Sequence, residues 1–367
     1  MARRRKRKLM EQAIEVTIED LSHDGRGIAR VDGKVMFVSG ALPDEKVMAK
    51  HTGGNKNFEE GEVLEVIKAS ADRVEPKCQF YAVCNGCSMM HLAPSKQIAF
   101  KQNTLKQNLL KMAKVEPLNW LDVLQADSWH YRRRARLSVR WVIAKDKVLV
   151  GFREKNGRYV ADMDYCEVLQ QPLDSLLKPL AEMIESLLIK QHIAQIEASI
   201  ADNDIALIIR HLKPIQQKDE TILLDFAKKH AIRIFLQSKG PKTIVELTKN
   251  NSALYFDMPD YSVRMEFLPS DFIQVNAKMN QKMIAQALEL LDISENDTVL
   301  DLFCGLGNFT LPLAKSVKKV IGIEGEESLV QRAKHNAKIN KLDNVQFFTA
   351  DLRKNHADSD WFQQDFT

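Results

Sequence analysis

The sequence predicts a multidomain α/β protein: a small OB-like β-barrel, then a central α+β region, then a Rossmann-like domain. Three observations predict it. Short alternating apolar runs broken by turn residues fill positions 13–70. Three close cysteines and a distant fourth lie between Cys78 and Cys166. Beyond residue 266 an apolar strand, a glycine turn and a helix begin a βαβ series. The expected parts are a basic tail (1–12), the barrel (13–70), the central domain (71–265) and the Rossmann-like domain (266–367).

The chain has 367 residues, 45% of them hydrophobic and 28% charged, an ordinary globular composition. No apolar run approaches a membrane span and no secretory signal is present. The net charge is +4, of which Arg3-Arg-Arg-Lys-Arg-Lys8 supplies six positive charges, leaving −2 for the rest. Such a run suits phosphates or serves as a solubilising end. Five cysteines, an odd number without a signal peptide, point to a reducing, cytoplasmic compartment and to metal or chemistry rather than disulfides. No membrane contact and no obligate protein partner is indicated.

In the barrel region, Ala13–Ile18 alternates and Gly27–Val38 holds two strands around Asp32-Gly33, a strong hairpin signal. Five short strands are expected, an arrangement often used on single-stranded nucleic acid. Next, Cys78-x5-Cys84-x2-Cys87 with Cys166 far downstream gives three thiolates plus one. That asymmetry favours an iron–sulfur cluster, since structural zinc more often uses two close pairs. Cys84-Asn-Gly-Cys87 is a tight polar turn, unlike a core segment that happens to contain cysteine.

Pro94–Ala113 reads as a lysine-rich amphipathic helix. Trp129-His-Tyr-Arg-Arg-Arg-Ala-Arg-Leu-Ser-Val-Arg-Trp141 then places Arg136 and Arg140 on one strand face, with Arg132, Arg133 and Arg134 at the strand's start. Guanidinium groups beside aromatics suit phosphates and unstacked bases, or form a solvated strand face. Residues 172–270 alternate helix (172–189, 222–230) and strand (205–212, 232–236). Gln274 and Asn276, polar in an apolar context, are expected to face a partner or solvent ahead of a helix over 278–291.

Thr298-Val-Leu-Asp-Leu-Phe-Cys-Gly-Leu-Gly-Asn-Phe-Thr310 is a strand, a glycine turn and a helix start. Gly305 and Gly307 let the backbone turn tightly beside a ligand. Lys319-Val-Ile-Gly-Ile-Glu324 is a second strand ending in an acid, placed to take ribose hydroxyls. The third glycine of a dinucleotide fingerprint is missing. Asp301 would repel a pyrophosphate and could hold an ammonium group. S-adenosylmethionine has a ribose and an ammonium group but no phosphate, so the turn reads as its site in preference to NAD. A helix over 327–340 and a strand over 344–348 ending near Asp351 continue the pattern.

These features together resemble the bacterial RlmD (RumA) type of RNA uracil-C5 methyltransferase, over almost the whole chain. The residues that carry the resemblance are the barrel, similar to a TRAM domain, and the cysteine spacing. With them go Tyr131-Arg-Arg-Arg-Ala-Arg-Leu-Ser, Asp271-Phe-Ile-Gln-Val-Asn and Asp301-Leu-Phe-Cys-Gly-Leu-Gly-Asn-Phe-Thr. The resemblance implies a 4Fe-4S cluster on Cys78, Cys84, Cys87 and Cys166, and S-adenosylmethionine contacts at Gln274, Phe303, Asn308, Glu324 and Asp351. It implies methyl transfer to C5 of a specific uridine in 23S ribosomal RNA. A cysteine would add to C6 and a carboxylate-type base would remove the C5 proton, on a base flipped out of its stack.

The sequence departs from the family pattern at its end. The family's later strand, its Asp-Pro-Pro-like loop, the nucleophilic cysteine and the catalytic glutamate are expected beyond Thr367, and no catalytic residue is assigned within the chain. Cys304 sits in the cofactor turn and is not taken as the nucleophile. The expectation is a truncated member, three sheet strands out of about seven, with an unpaired edge on the third; it binds its cluster and RNA but does not methylate. The alternative is a non-catalytic RNA-binding iron–sulfur protein.

Overall fold

In the computed structural model, residues 13–364 except 156 and 251, together with 366, are described. The basic run at 3–8 lies outside the described residues. The chain divides into two compact units: the first runs through Val123 and takes in Arg153–Gly157, and the second comprises Leu124–Phe152 and Arg158 onward.

The first unit opens with six strands: β1 (Ile14–Thr17), β2 (Asp20–Leu21), β3 (Gly27–Val31), β4 (Lys34–Ser39), β5 (Lys46–Gly54) and β6 (Phe58–Lys68). They form one sheet in the order β1-β5-β6-β4-β3-β2. One strand more than expected is present because Asp20–Leu21 pairs briefly with β3. The hairpin at Asp32-Gly33 forms as the sequence predicts. Val31 pairs with Lys34, and both turn residues have positive φ (49° and 77°), the twist that suits a two-residue turn. Register shifts along β5–β6 bend the sheet around a core of Val16, Ile18, Met36, Val38 and Val47.

Helix α1 (Pro94–Asn108) continues through a π turn to Ala113, as the spacing predicts, but it buries none of its residues. Leu105, Leu110 and Met112 stay exposed. The expected amphipathic face is therefore not used in packing. The helix has too few apolar positions at i and i+4 to make a continuous stripe.

The second unit begins with β7 (Arg134–Val142) and β8 (Lys147–Gly151), followed by α2 (Leu177–Glu185). The sequence pattern predicts a helix from 172 to 189. Pro179 prevents the early start, because its ring clashes with the carbonyl four residues upstream and it has no N–H to give. Then come β9 (Ile193–Ile200), β10 (Ile205–His211), α3 (Gln217–His230), β11 (Arg233–Gln237) and β12 (Ile244–Glu246). The sheet order is β12-β11-β10-β9-β7-β8. β9, not anticipated from sequence, sits between β10 and β7, and its Ile196 is fully buried.

A hairpin of β13 (Leu254–Met258) and β14 (Val263–Phe267) leads to α4 (Ala277–Leu291). The βαβ series follows: β15 (Thr298–Leu302), α5 (Thr310–Leu313), β16 (Lys319–Glu324), α6 (Glu327–Ile339) and β17 (Val345–Thr349). All three strands are parallel, with β16 in the centre. β17 is an edge, as expected. β15 is one too: it is only partly buried along its length and exposes Leu302. The hairpin, α4, the glycine turn and α6 share a core of Phe256, Met265, Ile284, Leu306, Val330 and Phe347.

Helix α6 is fastened to the hairpin by two asparagines one turn apart. Asn340 accepts from the Arg264 amide (2.7 Å) and donates to its carbonyl (2.6 Å). Asn336, fully buried, does the same at Glu266 (3.0 and 3.1 Å) and also donates to the Leu306 carbonyl in the glycine turn (3.3 Å). These side chains complete the unpaired edge of β14, where bare backbone groups would otherwise be buried. Removing the Asn336 amide leaves several buried groups unpaired. Asn336→Ala is therefore expected to destabilise the second unit by about 2–4 kcal/mol. Urea unfolding followed in that unit measures it, and a loss within about 0.5 kcal/mol of zero contradicts the bracing role.

Candidate functional site

The glycine turn is built from both ends of the sheet. β15 ends at Leu302, and Phe303 then takes a left-handed conformation (φ 63°) with 74% of its surface exposed. A bulky residue in that region is strained and persists only where its surroundings impose it. Gly305 (φ 56°) and Gly307 (φ 94°) complete the turn. Within β16, a side chain at Gly322 would meet Phe347 at 2.7 Å and Cys304 Sγ at 3.0 Å, so only glycine lets the turn pack down on the strand.

Gln274, Phe303 and Asn308, three of the five residues expected to contact a cofactor, line one cavity of about 130 Å³. Asp301, Phe256, Met265 and Phe309 line it as well. Small-molecule pockets usually run to roughly 300–1,000 Å³, so this cavity takes one part of a ligand. Glu324 and Asp351 are not among its lining residues. Glu324 is nonetheless tied to the turn. Its carboxylate accepts the Gly305 N–H at 3.1 Å, and also the Gly325 and Glu326 N–H groups at 2.7 and 3.1 Å. A carboxylate has about four acceptor positions, so capacity remains for a hydroxyl donor. Asp351 is half exposed and bonded to Arg353 (2.9 and 3.0 Å), which holds its carboxyl below the usual range.

Burial pushes the Asp301 carboxyl up, while the Thr310 hydroxyl, donating at 2.5 Å, pulls it down. A cation in the cavity would favour the ionised form. Burial, with Asp301 and Glu324 nearby, pushes the Cys304 thiol up to about 12. Roughly one thiol in 10⁵ is then ionised near neutral pH, too few for a nucleophile. Cys304 is a packing residue against Gly322.

The arginine run corrects the sequence expectation. Arg136 and Arg140 share the exposed face of β7 as predicted, Arg136 pairing with Glu197 at 3.1 Å. Arg132, Arg133 and Arg134 instead turn inward to brace the segment that carries Gln274. Arg133 is 3% exposed; it stacks over Phe256 (4.4 Å) and donates from Nε to the Gln274 carbonyl (2.9 Å). Burial lowers it to about 10. Arg134 donates to the Ser270 carbonyl (3.0 Å) and to that of Asp271. Arg132 donates to the Arg134 carbonyl (3.0 Å), and its backbone bridges Asn276. The buried Asp271 accepts the Leu268 N–H (2.7 Å) and Arg332 of α6 (2.8 Å). Asn276 caps α4 by accepting from the Met279 N–H (3.0 Å), which gives its polar side chain a structural role. Asp271 is quoted in a sequence motif without a role, and Arg332 and Asn280 are not singled out in the sequence. The Asn280 amide exchanges two hydrogen bonds with that of Asn308 (2.8 and 2.9 Å).

In the first unit, Cys78 and Cys84 are buried. Cys84 Sγ accepts the Gly86 N–H at 3.3 Å, and burial together with the nearby Cys78 raises its thiol. In the second unit, Cys166 is buried and its N–H donates to the Asp174 carbonyl. Among the described residues no group of three or more His, Cys, Asp or Glu side chains is arranged to hold a metal ion, and no helix is long and apolar enough to cross a membrane.

A parallel strand, a glycine turn, a short helix and a carboxylate at the next strand's end define a Rossmann-like, S-adenosylmethionine-dependent methyltransferase domain. Comparison with known proteins narrows this. The tRNA (Uracil-5-)-methyltransferase family matches residues 94–353, and the TRAM domain matches residues 8–64. A 23S rRNA (uracil(1939)-C(5))-methyltransferase RlmD of Vesicomyosocius okutanii is 46% identical over 98% of the chain and 82% of its own length. One from Xanthomonas campestris is 47% identical over all of the chain and 83% of its own length. The chain belongs to the RNA uracil-C5 methyltransferase family. The crystal structure of Pyrococcus abyssi tRNA (uracil-54, C5)-methyltransferase in complex with S-adenosyl-L-homocysteine has the same fold, with TM-score 0.69 and 21% identity over 93% of this chain and 81% of that one.

If Arg133 braces the Gln274 segment, Arg133→Met speeds hydrogen exchange of amides 272–276 about tenfold, while Arg140→Ala leaves them unchanged. Unchanged exchange in Arg133→Met contradicts the bracing role.

Proposed function

We propose that the protein transfers a methyl group from S-adenosylmethionine to C5 of a uridine in 23S ribosomal RNA, at the position its relatives' names give as uracil 1939. The observation that carries the reading is the cavity where Gln274, Phe303 and Asn308 meet at a glycine turn anchored on Glu324. Glu324 accepts from a ribose hydroxyl at its remaining acceptor position, Phe303 covers an apolar face of the cofactor, and Asn308 meets its amino-acid end. Asp351 stands at the end of β17, beside the adenine, and must give up part of its Arg353 pairing to accept the exocyclic amine. The absence of phosphate in S-adenosylmethionine suits a turn that carries Asp301. The TRAM region and the exposed Arg136 and Arg140 contact RNA phosphates. None of the five cysteines is assigned as the nucleophile that adds to uracil C6. The protein works in the cytoplasm, where its RNA is.

A 4Fe-4S cluster on Cys78, Cys84, Cys87 and Cys166 belongs to the same reading. The donor type fits: burial and the nearby Cys78 raise the Cys84 thiol, which a bound cation would drive to the thiolate. When bound, the cluster would supply a covalent staple for its region. The four thiolates would hold it, and the Gly86 N–H would donate to the Cys84 sulfur.

Deleting the gene tests the function. Mass spectrometry of 23S rRNA nucleosides is expected to show the loss of one 5-methyluridine. An unchanged content would overturn the reading in favour of a non-catalytic RNA-binding protein. For the cluster, anaerobic reconstitution with iron and sulfide is expected to give stoichiometric iron and visible absorbance in the native chain and neither in Cys84→Ser. Uptake of zinc alone contradicts a cluster.

A further inference from the structure

Asn280 lies on α4, 3% exposed, 28 residues before Asn308. Its Nδ2 donates to Asn308 Oδ1 at 2.8 Å, and Asn308 Nδ2 donates back to Asn280 Oδ1 at 2.9 Å. A primary amide carries two N–H donors and two acceptor lone pairs, and this exchange uses one of each on either side. Asn308 therefore keeps one N–H and one lone pair, and it lines the cavity at the glycine turn. The two point to opposite sides of the amide, so one ligand group meets one of them, and the N–H matches the carboxylate of an amino-acid end. We propose that Asn280 is a positioning residue for the cofactor: by pairing edge to edge with Asn308 it fixes the plane of that amide and so presents its remaining N–H to the carboxylate at the amino-acid end of S-adenosylmethionine. The proposal rests on the assignment of Asn308 made above.

The physical reason is orientation. An unpaired asparagine at a turn has a broad, roughly two-fold terminal torsion and must be ordered each time a ligand binds. A second buried amide removes that freedom in advance. The pair also joins α4 to the turn, so Asn276, which caps α4 one turn earlier, shares in locating the site.

The substitution Asn280→Asp turns this into a readable switch. The introduced carboxylate still accepts the Asn308 N–H but cannot donate to Asn308 Oδ1, and it repels that oxygen. A protonated carboxyl donates again. Burial raises a carboxyl's pKa, so the protonated form of the variant's side chain returns as pH falls towards about 5. Other groups near the site are common to both proteins: Asp301 lines the cavity, and Lys278 and Lys282 of α4 are engaged by Asp127 and the Gln125 carbonyl. Their titration cancels in the ratio of variant to native affinity.

The test titrates S-adenosylhomocysteine into the native chain and into Asn280→Asp, Asn280→Leu and Asn308→Ala, by calorimetry at about pH 5 and about pH 8. Melting temperatures are recorded alongside. The expected result is about tenfold weaker binding for Asn280→Asp at the higher pH, with the gap narrowing to within about threefold at the lower. Asn280→Leu should be weakened equally at both, with melting temperatures that do not track affinity. Native affinity in both Asn280 variants overturns the proposal, as does a pH-independent loss in Asn280→Asp that follows the melting temperature. If Asn308→Ala binds like the native chain, the assignment of Asn308 is wrong and the proposal falls with it. Weak binding by Asn308→Ala with native binding by both Asn280 variants removes only the role of Asn280.

Discussion

The Glu324 carboxylate is the point on which the site depends. It stands at the end of the central strand and accepts the Gly305 N–H of a turn nineteen residues away. That bond joins β15 to β16 where the parallel ladder stops, and it sets the height of the turn above the sheet. The packing beneath has no slack. Gly322 has no side chain, and Cys304 fills the space against it. A larger residue at either place would lift Gly305 from Glu324 and open the cavity. The charge that would anchor a ribose is thus also the group that shapes the turn.

Around this point buried polar side chains, more than apolar ones, determine position. Arg133 holds the Gln274 carbonyl, Arg134 holds Ser270 and Asp271, and Arg332 of α6 closes on Asp271. Asn336 ties the same helix to the turn. Each satisfied bond adds only about 1 kcal/mol to stability, but each partner left unpaired would cost about 1–3 kcal/mol. The arrangement therefore resists small rearrangements better than the net stabilisation suggests. Apolar packing of Phe256, Met265 and Phe347 supplies the driving force, and the polar bonds select one geometry.

The strand–turn–helix is legible in the sequence because its signals are local: Thr298–Leu302, the glycines and Glu324 follow one another within one βαβ unit. The Asp32-Gly33 hairpin is legible for the same reason. The arginines are not, because exposure is not a local property. Arg134, Arg136 and Arg140, even numbers of residues apart on β7, share one face, yet Arg134 is held there by Glu197 and, like Arg133 on the other side, packs against a segment more than 130 residues later. The strand Ile193–Ile200 escapes a reading of sequence although its apolar alternation is plain, and Asn280 has only one signal, an amide among the apolar residues of α4. The spacing of Cys78, Cys84, Cys87 and Cys166 remains a sequence argument supported by donor chemistry.

The central claim is that the turn anchored on Glu324 binds S-adenosylmethionine through its ribose. The most direct measurement is a crystal structure of the chain soaked with S-adenosylhomocysteine. The predicted result is a ribose hydroxyl donating to the Glu324 carboxylate, with the amino-acid end beside Asn308. Density for the ligand elsewhere, or a ribose that leaves Glu324 on its three backbone amides alone, would contradict it.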